Sequence, residues 1–148
     1  MNKKWWVSIC VLVAMIVPGN TAAFASGNVS TFVPPEITLF YSHTSMISAA
    51  LVINNSGTAD CGGSLTPKSG AYSSTVIIDL QQKKNGESSF KSIKTWSKSR
   101  TGHLTVAVDG SMSVTRNAKY RVVTTGKVYT AAGVLGETTT VTSKECSY

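Results

Sequence analysis

STVIIDLQQKKNGESSFKSIKTWSK, residues 74–98, is the stretch that decides the fold. Val76, Ile78 and Leu80 fall on one side of an extended chain, while Asp79 and Gln81 fall on the other. A period of two has meaning only for a strand, whose side chains alternate between faces. Lys83-Lys84-Asn85-Gly86 then contains an Asn-Gly pair, a strong short hairpin signal. Phe90 to Lys98 returns as the partner strand.

The same alternation runs outward in both directions. Ile47, Ala49, Leu51 and Ile53 alternate before a turn at Asn54-Asn55-Ser56-Gly57, and Ala59, Cys61, Gly63 and Leu65 share the next inward face. A turn at Thr66 to Gly70 leads into the central hairpin, and Ser99 to Gly102 turns out of it. Leu104, Val106 and Val108 alternate up to Asp109-Gly110, which reads as another turn, and Met112 and Val114 follow. Tyr120 to Tyr129 is a strand, Gly133 to Gly136 a turn, and Thr138 to Tyr148 the closing segment. Helical periodicity is not found. Seven or eight short strands with frequent turns predict an all-β fold, a small immunoglobulin-like antiparallel β-sandwich over residues 37–148.

Tyr120-Arg121-Val122 resembles the Tyr-x-Cys stretch of immunoglobulin-type domains, with Val122 where the cysteine would stand. The resemblance implies that Tyr120 is a tyrosine corner, its hydroxyl bonded to nearby backbone. Cys61 lies about where the first immunoglobulin cysteine lies. Val141 and Cys146 are out of phase in the closing segment, so both face inward only if a bulge intervenes. The domain also resembles a family of small secreted Gram-positive bacterial proteins of unknown function. Ala59 to Cys61, Leu80 to Gly86, Trp96-Ser97-Lys98 and Tyr120-Arg121-Val122 carry that resemblance, which implies no catalytic or binding residues.

Residues 1–25 read as a cleavable signal peptide. Lys3 and Lys4 precede an apolar run from Trp5 to Val17, and Ala23-Phe24-Ala25 offers small residues for cleavage before Ser26. Residues 26–36, ending in Pro34-Pro35-Glu36, read as a flexible leader. No later segment is apolar enough to span a membrane, so the mature chain is expected to be secreted and extracellular. Cys10 leaves with the signal. Cys61 and Cys146 remain as a pair in an oxidising compartment and are expected to form a disulfide. Closing a loop of about 85 residues would stabilise the fold by about 4 kcal/mol in the chain-entropy account.

The chain of 148 residues carries 14 Lys and Arg against 7 Asp and Glu, a formal net charge of +7. A basic secreted protein meets anionic surfaces such as wall polymers and lipid headgroups. Six basic residues crowd the central hairpin: Lys83, Lys84, Lys91, Lys94, Lys98 and Arg100, with Glu87 the only acid among them. Phe90, Lys94, Trp96 and Lys98 share one parity, which predicts a mixed aromatic and basic face. The competing structural reading makes Trp96 a cover for one end of the core, with lysines protecting an exposed edge strand.

Signs of catalysis are sparse. Cys61 with His43 or His103 lacks any nucleophile signature, and structural burial of the cysteine is the favoured reading. Asp79 and Glu87 are the conceivable carboxylate pair for sugar hydrolysis. Neither histidine has a second ligand at metal spacing, Asp109-Gly110 lacks the other acids of a calcium loop, and no cofactor is expected. Phosphate-binding glycine loops and nucleic-acid modules are not found, so no specific nucleic acid is expected. The leading expectation is a non-enzymatic binding module at the bacterial cell surface, its partner an anionic cell-wall polymer or a surface protein. A secreted antibacterial or membrane-active protein is the first alternative, and a small wall-acting enzyme the second.

Overall fold

The computed structural model describes residues 41–148. The expected signal peptide, the leader and the first residues assigned to the domain lie outside the described residues. Eight strands follow one another: β1 (Thr44–Ile53), β2 (Thr58–Pro67), β3 (Ser73–Lys84), β4 (Lys91–Thr101), β5 (Val106–Ser113), β6 (Ala118–Ala131), β7 (Val134–Thr142) and β8 (Cys146–Ser147). Every pairing is antiparallel. One sheet has the order β1-β2-β5 and the other β4-β3-β6-β7, with β8 also on β6. No helix among the described residues is long and apolar enough to cross a membrane.

The expected inward residues meet between the sheets. Leu65 of β2 and Val106 of β5 face Val76, Ile78 and Leu80 of β3 and Val122 and Val128 of β6, and all seven are almost fully buried. Each such side chain contributes about 1.5–3 kcal/mol on leaving water. Gly63 of β2 permits a close approach of the sheets in the core. A Cβ there would lie 2.4 Å from Ile78 Cγ2 and 2.7 Å from Thr124 Oγ1.

Tyr120 is fully buried and is the tyrosine corner that the sequence implied. Its hydroxyl donates to the Thr115 carbonyl at 2.7 Å and accepts from the Thr115 amide at 3.1 Å. Gln82 Nε2 also donates to it at 2.6 Å, tying β3 to the loop before β6. The phase conflict between Val141 and Cys146 is resolved in the break between β7 and β8. Thr142 lies opposite Val123 and Cys146 opposite Tyr120, so the closing segment spends one residue more than β6 does over the same span. That extra residue restores the phase, and Val141 and Cys146 both pack against the core.

Two expectations are corrected. Cys61 and Cys146 are free thiols, not a bridge. Cys61 sits on β2 at the middle of its sheet, with Sγ 4.0 Å from the Ala59 carbonyl oxygen. Cys146 sits outside β6, at the margin of the other sheet, with Sγ 3.7 Å from the Leu51 carbonyl oxygen of β1. The strand bearing Cys146 thus packs against β1, while Cys61 lies one strand further in, and strands are spaced by about 4.8 Å. Burial, reinforced by the Asp60 charge, pushes the Cys61 thiol up to about 12, and burial raises Cys146 against the opposing pull of Lys144.

The second correction concerns Asp109-Gly110, which lies inside β5, where Gly110 pairs with Cys61. The glycine is needed for packing, not turning. The Trp96 indole of β4 occupies its face, and a Cβ on Gly110 would lie 2.3 Å from Trp96 Cε2. A smaller shift places the last hairpin turn before Val134, so Gly136 is part of β7.

Candidate functional site

The structure divides the expected aromatic and basic face in two. Leu80 pairs with Lys94 but Gln81 pairs with Ser92, so β4 carries an extra residue there and its side-chain phase reverses. Phe90 and Trp96 therefore do not share a face.

Above the bulge, Lys94, Trp96, Lys98 and Arg100 lie opposite Leu80, Ile78, Val76 and Ser74, the inward residues of β3. Trp96 is half-buried and closes the seam between β4 and β5 against Gly110. Lys94, Lys98 and Arg100 are exposed beside it. Arg100 Nη1 donates to the Thr105 carbonyl at 3.3 Å, which holds the β4 edge to the chain entering β5. Inward-pointing charges on an edge strand keep it from pairing with another chain. The structural reading of Trp96 and its lysines thus describes this strip.

Below the bulge the arrangement differs. Phe90 lies on the outer face of the five-stranded sheet, between two cations. Arg121 Cζ is 4.1 Å from its ring centroid and Lys83 Nζ 5.0 Å. Arg121 is held in place by a relay. Its Nε donates to Gln81 Oε1 at 2.9 Å, and Gln81 Nε2 donates to Asp79 Oδ2 at 2.8 Å. Asp79 Oδ1 accepts from the Ser92 hydroxyl. The relay engages Nε and the ring covers one face, so the terminal amino groups of Arg121 remain for a ligand. A planar guanidinium fixed this way suits a bidentate oxyanion contact.

Lys83 lies directly opposite Lys119 of β6. Like charges facing each other across a strand pair are destabilising. Lys119 has only a long contact to Glu145, 3.9 Å, with both side chains about half exposed. Lys84 is exposed at the hairpin. Lys91 is taken by Glu87 at 2.6 Å, and Glu87 also accepts from the Lys84 amide at 3.0 Å. The bond from Lys91, then that from the Lys84 amide, hold the Glu87 carboxyl below its ordinary range. Lys119 and Arg121 are absent from the sequence-based set. They stand more than thirty positions from Lys83, and only the β3–β6 register brings the three together.

The conceivable catalytic pairs are not assembled. Cys61 is opposite Leu51, while His43 immediately precedes Thr44 at the other end of β1, roughly 25 Å away at 3.3 Å per residue. His103 lies in the β4–β5 connection, seven positions from the partner of Cys61, at the same far end. Asp79 is bound within the relay and Glu87 within the hairpin. Lys84, which Glu87 caps, is already about 16 Å along the strand from Asp79, beyond the spacing of a glycosidase pair. No cluster of three or more His, Cys, Asp or Glu suited to a metal ion occurs among the described residues. Comparison of the chain with family models, curated proteins and solved structures finds no match.

Proposed function

We propose that this protein is a secreted, non-enzymatic binding module that holds an anionic polymer at the bacterial cell surface. The carrying observation is the Lys83–Lys119–Arg121 cluster, with Arg121 oriented by Phe90, Gln81 and Asp79. Placing Lys83 against Lys119 opposes folding, and sites that bind ligands are where such local conflicts are retained. The basic strip Lys94–Lys98–Arg100 runs up the neighbouring edge and extends the positive field along the same sheet.

The two-sheet antiparallel architecture supports the reading at the level of fold alone, because small sandwiches commonly present loops and faces to partners. The test is binding of the purified chain to long-chain polyphosphate and to isolated anionic wall polymer. Affinity falls steeply with salt, because each neutralised anionic group releases counterions. Replacing Lys83, Lys119 and Arg121 together by Gln lowers affinity and leaves stability unchanged or slightly raised. A triple variant that binds as the parent does would overturn the reading.

A further inference from the structure

Four of the exposed large apolar side chains gather at one end of the sandwich, opposite the Lys83–Lys119–Arg121 cluster. Tyr72 enters from the β2–β3 connection, 49% exposed, and Leu104 from the β4–β5 connection, 53% exposed. Val134 and Leu135, 52% and 51% exposed, follow the β6–β7 turn. The three connections are neighbours. The Tyr72 amide donates to the Tyr129 carbonyl, Gly102 donates to Tyr72, and Tyr129 pairs with Leu135. They are distant in sequence, so no linear motif announces them.

Among the described residues the charge around this tip is predominantly positive. Lys68 and Arg100 flank it, each anchored to a backbone carbonyl of the same end, at Tyr41 and Thr105. Lys127 stands two register pairs below Tyr129 on the outer face. Glu137 is the only carboxylate among the described residues of this end, and the Ser42 and His43 amides occupy it at 2.7 and 3.0 Å.

We infer that this tip docks on an anionic lipid bilayer, with Tyr72, Leu104, Val134 and Leu135 entering the headgroup region and the surrounding cations meeting lipid phosphates. Protruding apolar side chains ringed by Lys and Arg bind such interfaces by adding apolar burial to electrostatic attraction. A second copy of the chain fits poorly, because two such tips would meet with like charge and no free carboxylate. Bilayer docking leaves the opposite end, with its oxyanion cluster, facing away from the membrane.

The experiment is co-sedimentation of the purified chain with extruded vesicles, either phosphatidylcholine alone or phosphatidylcholine with one-third phosphatidylglycerol. The parent binds the mixed vesicles and binds neutral ones at least about tenfold more weakly. Tyr72→Ser with Leu104→Ser and Leu135→Ser lowers mixed-vesicle affinity at least about tenfold. The single variants Leu104→Ser and Leu135→Ser each weaken it less, and they carry the test should the triple variant not fold. Leu104→Trp adds emission that shifts to the blue on vesicle binding. The Lys83, Lys119 and Arg121 to Gln variant keeps its vesicle binding, which separates this surface from the polymer site. Equal binding by parent and tip variants, or self-association of the parent that the tip variants abolish in place of vesicle binding, overturns the inference.

Discussion

Gly110→Ala tests the seam between the two sheets most directly. The backbone at Gly110 lies within paired β5, outside the positive-φ set, so alanine is conformationally acceptable there. The new methyl nevertheless falls 2.3 Å from Trp96 Cε2 and 2.4 Å from Cδ2. Ordinary carbon contacts lie near 3.5–4.0 Å, so the indole must move by well over about 1 Å. Truncating a fully buried Trp costs about 3–5 kcal/mol, and Trp96 is half-buried, so its expulsion costs about 2 kcal/mol. Against this stands a gain of roughly 0.5 kcal/mol for alanine over glycine in a strand. Urea denaturation followed by circular dichroism, on parent, Gly110→Ala, Trp96→Ala and the double variant, isolates the coupling. Gly110→Ala alone loses about 1.5–2 kcal/mol, or roughly 10 °C in melting temperature. In the Trp96→Ala background it is neutral or slightly stabilising, giving a coupling of about 2 kcal/mol. Equal cost in both backgrounds would refute the packing of Trp96 on Gly110.

Three further outcomes are expected. Gly63→Ala, whose methyl would strike Ile78 and Thr124 in the core, lowers the urea midpoint far more than Gly62→Ala, whose methyl meets Asp109 Oδ1 at 3.2 Å and Ala50 Cβ at an ordinary 4.0 Å; overpacking costs about 1–3 kcal/mol. Partial burial opposes ionisation of Glu137, but hydrogen bonds, among them those from the Ser42 and His43 amides, outweigh it and hold its pKa below the ordinary value. Its contribution to stability is present above the unfolded-state pKa near 4.5 and is lost as pH falls through the lower folded value, so Glu137→Gln destabilises at pH 7 and the gap to the parent closes in strong acid. With both thiols free, adding reductant leaves the melting temperature unchanged, and Cys61 resists alkylation at pH 8 until denaturant is added, because little thiolate exists at a pKa of about 12.

Much of the architecture is legible in the residues, because a sandwich strand with one buried face writes its orientation as alternation. Ile47 to Leu51, Val76 to Leu80 and Tyr120 to Val128 are inward where that pattern places them. Tyr120 is legible for a different reason, the resemblance of Tyr120-Arg121-Val122 to a Tyr-x-Cys stretch, which implies the backbone bond its hydroxyl makes at Thr115. What escapes is whatever depends on a partner strand. Asp109-Gly110 has turn chemistry, and only the approaching indole of Trp96 shows why a glycine is there. The extra residue near Ile93 reverses the phase of β4 without a compositional mark, separating Phe90 from Trp96. The cysteines look like a pair by count, yet both are free beside Leu51, Cys61 across the β1–β2 ladder and Cys146 against the Leu51 carbonyl. The oxyanion cluster and the apolar tip are each assembled by register from segments that carry no common motif.

The packing of Trp96 on Gly110 also gives the molecule its own optical gauge. From Ser26 onward Trp96 is the only tryptophan in the chain. Its indole sits where the two sheets meet through side-chain contact, with no backbone ladder joining β4 to β5. Indole emission moves to the red in water, so its colour reports the width of that seam alone. In a chain beginning at Ser26 the indole emission therefore tracks the parting of the two layers, and an early red shift, ahead of any loss of strand signal, marks sheets that separate before either one dissolves.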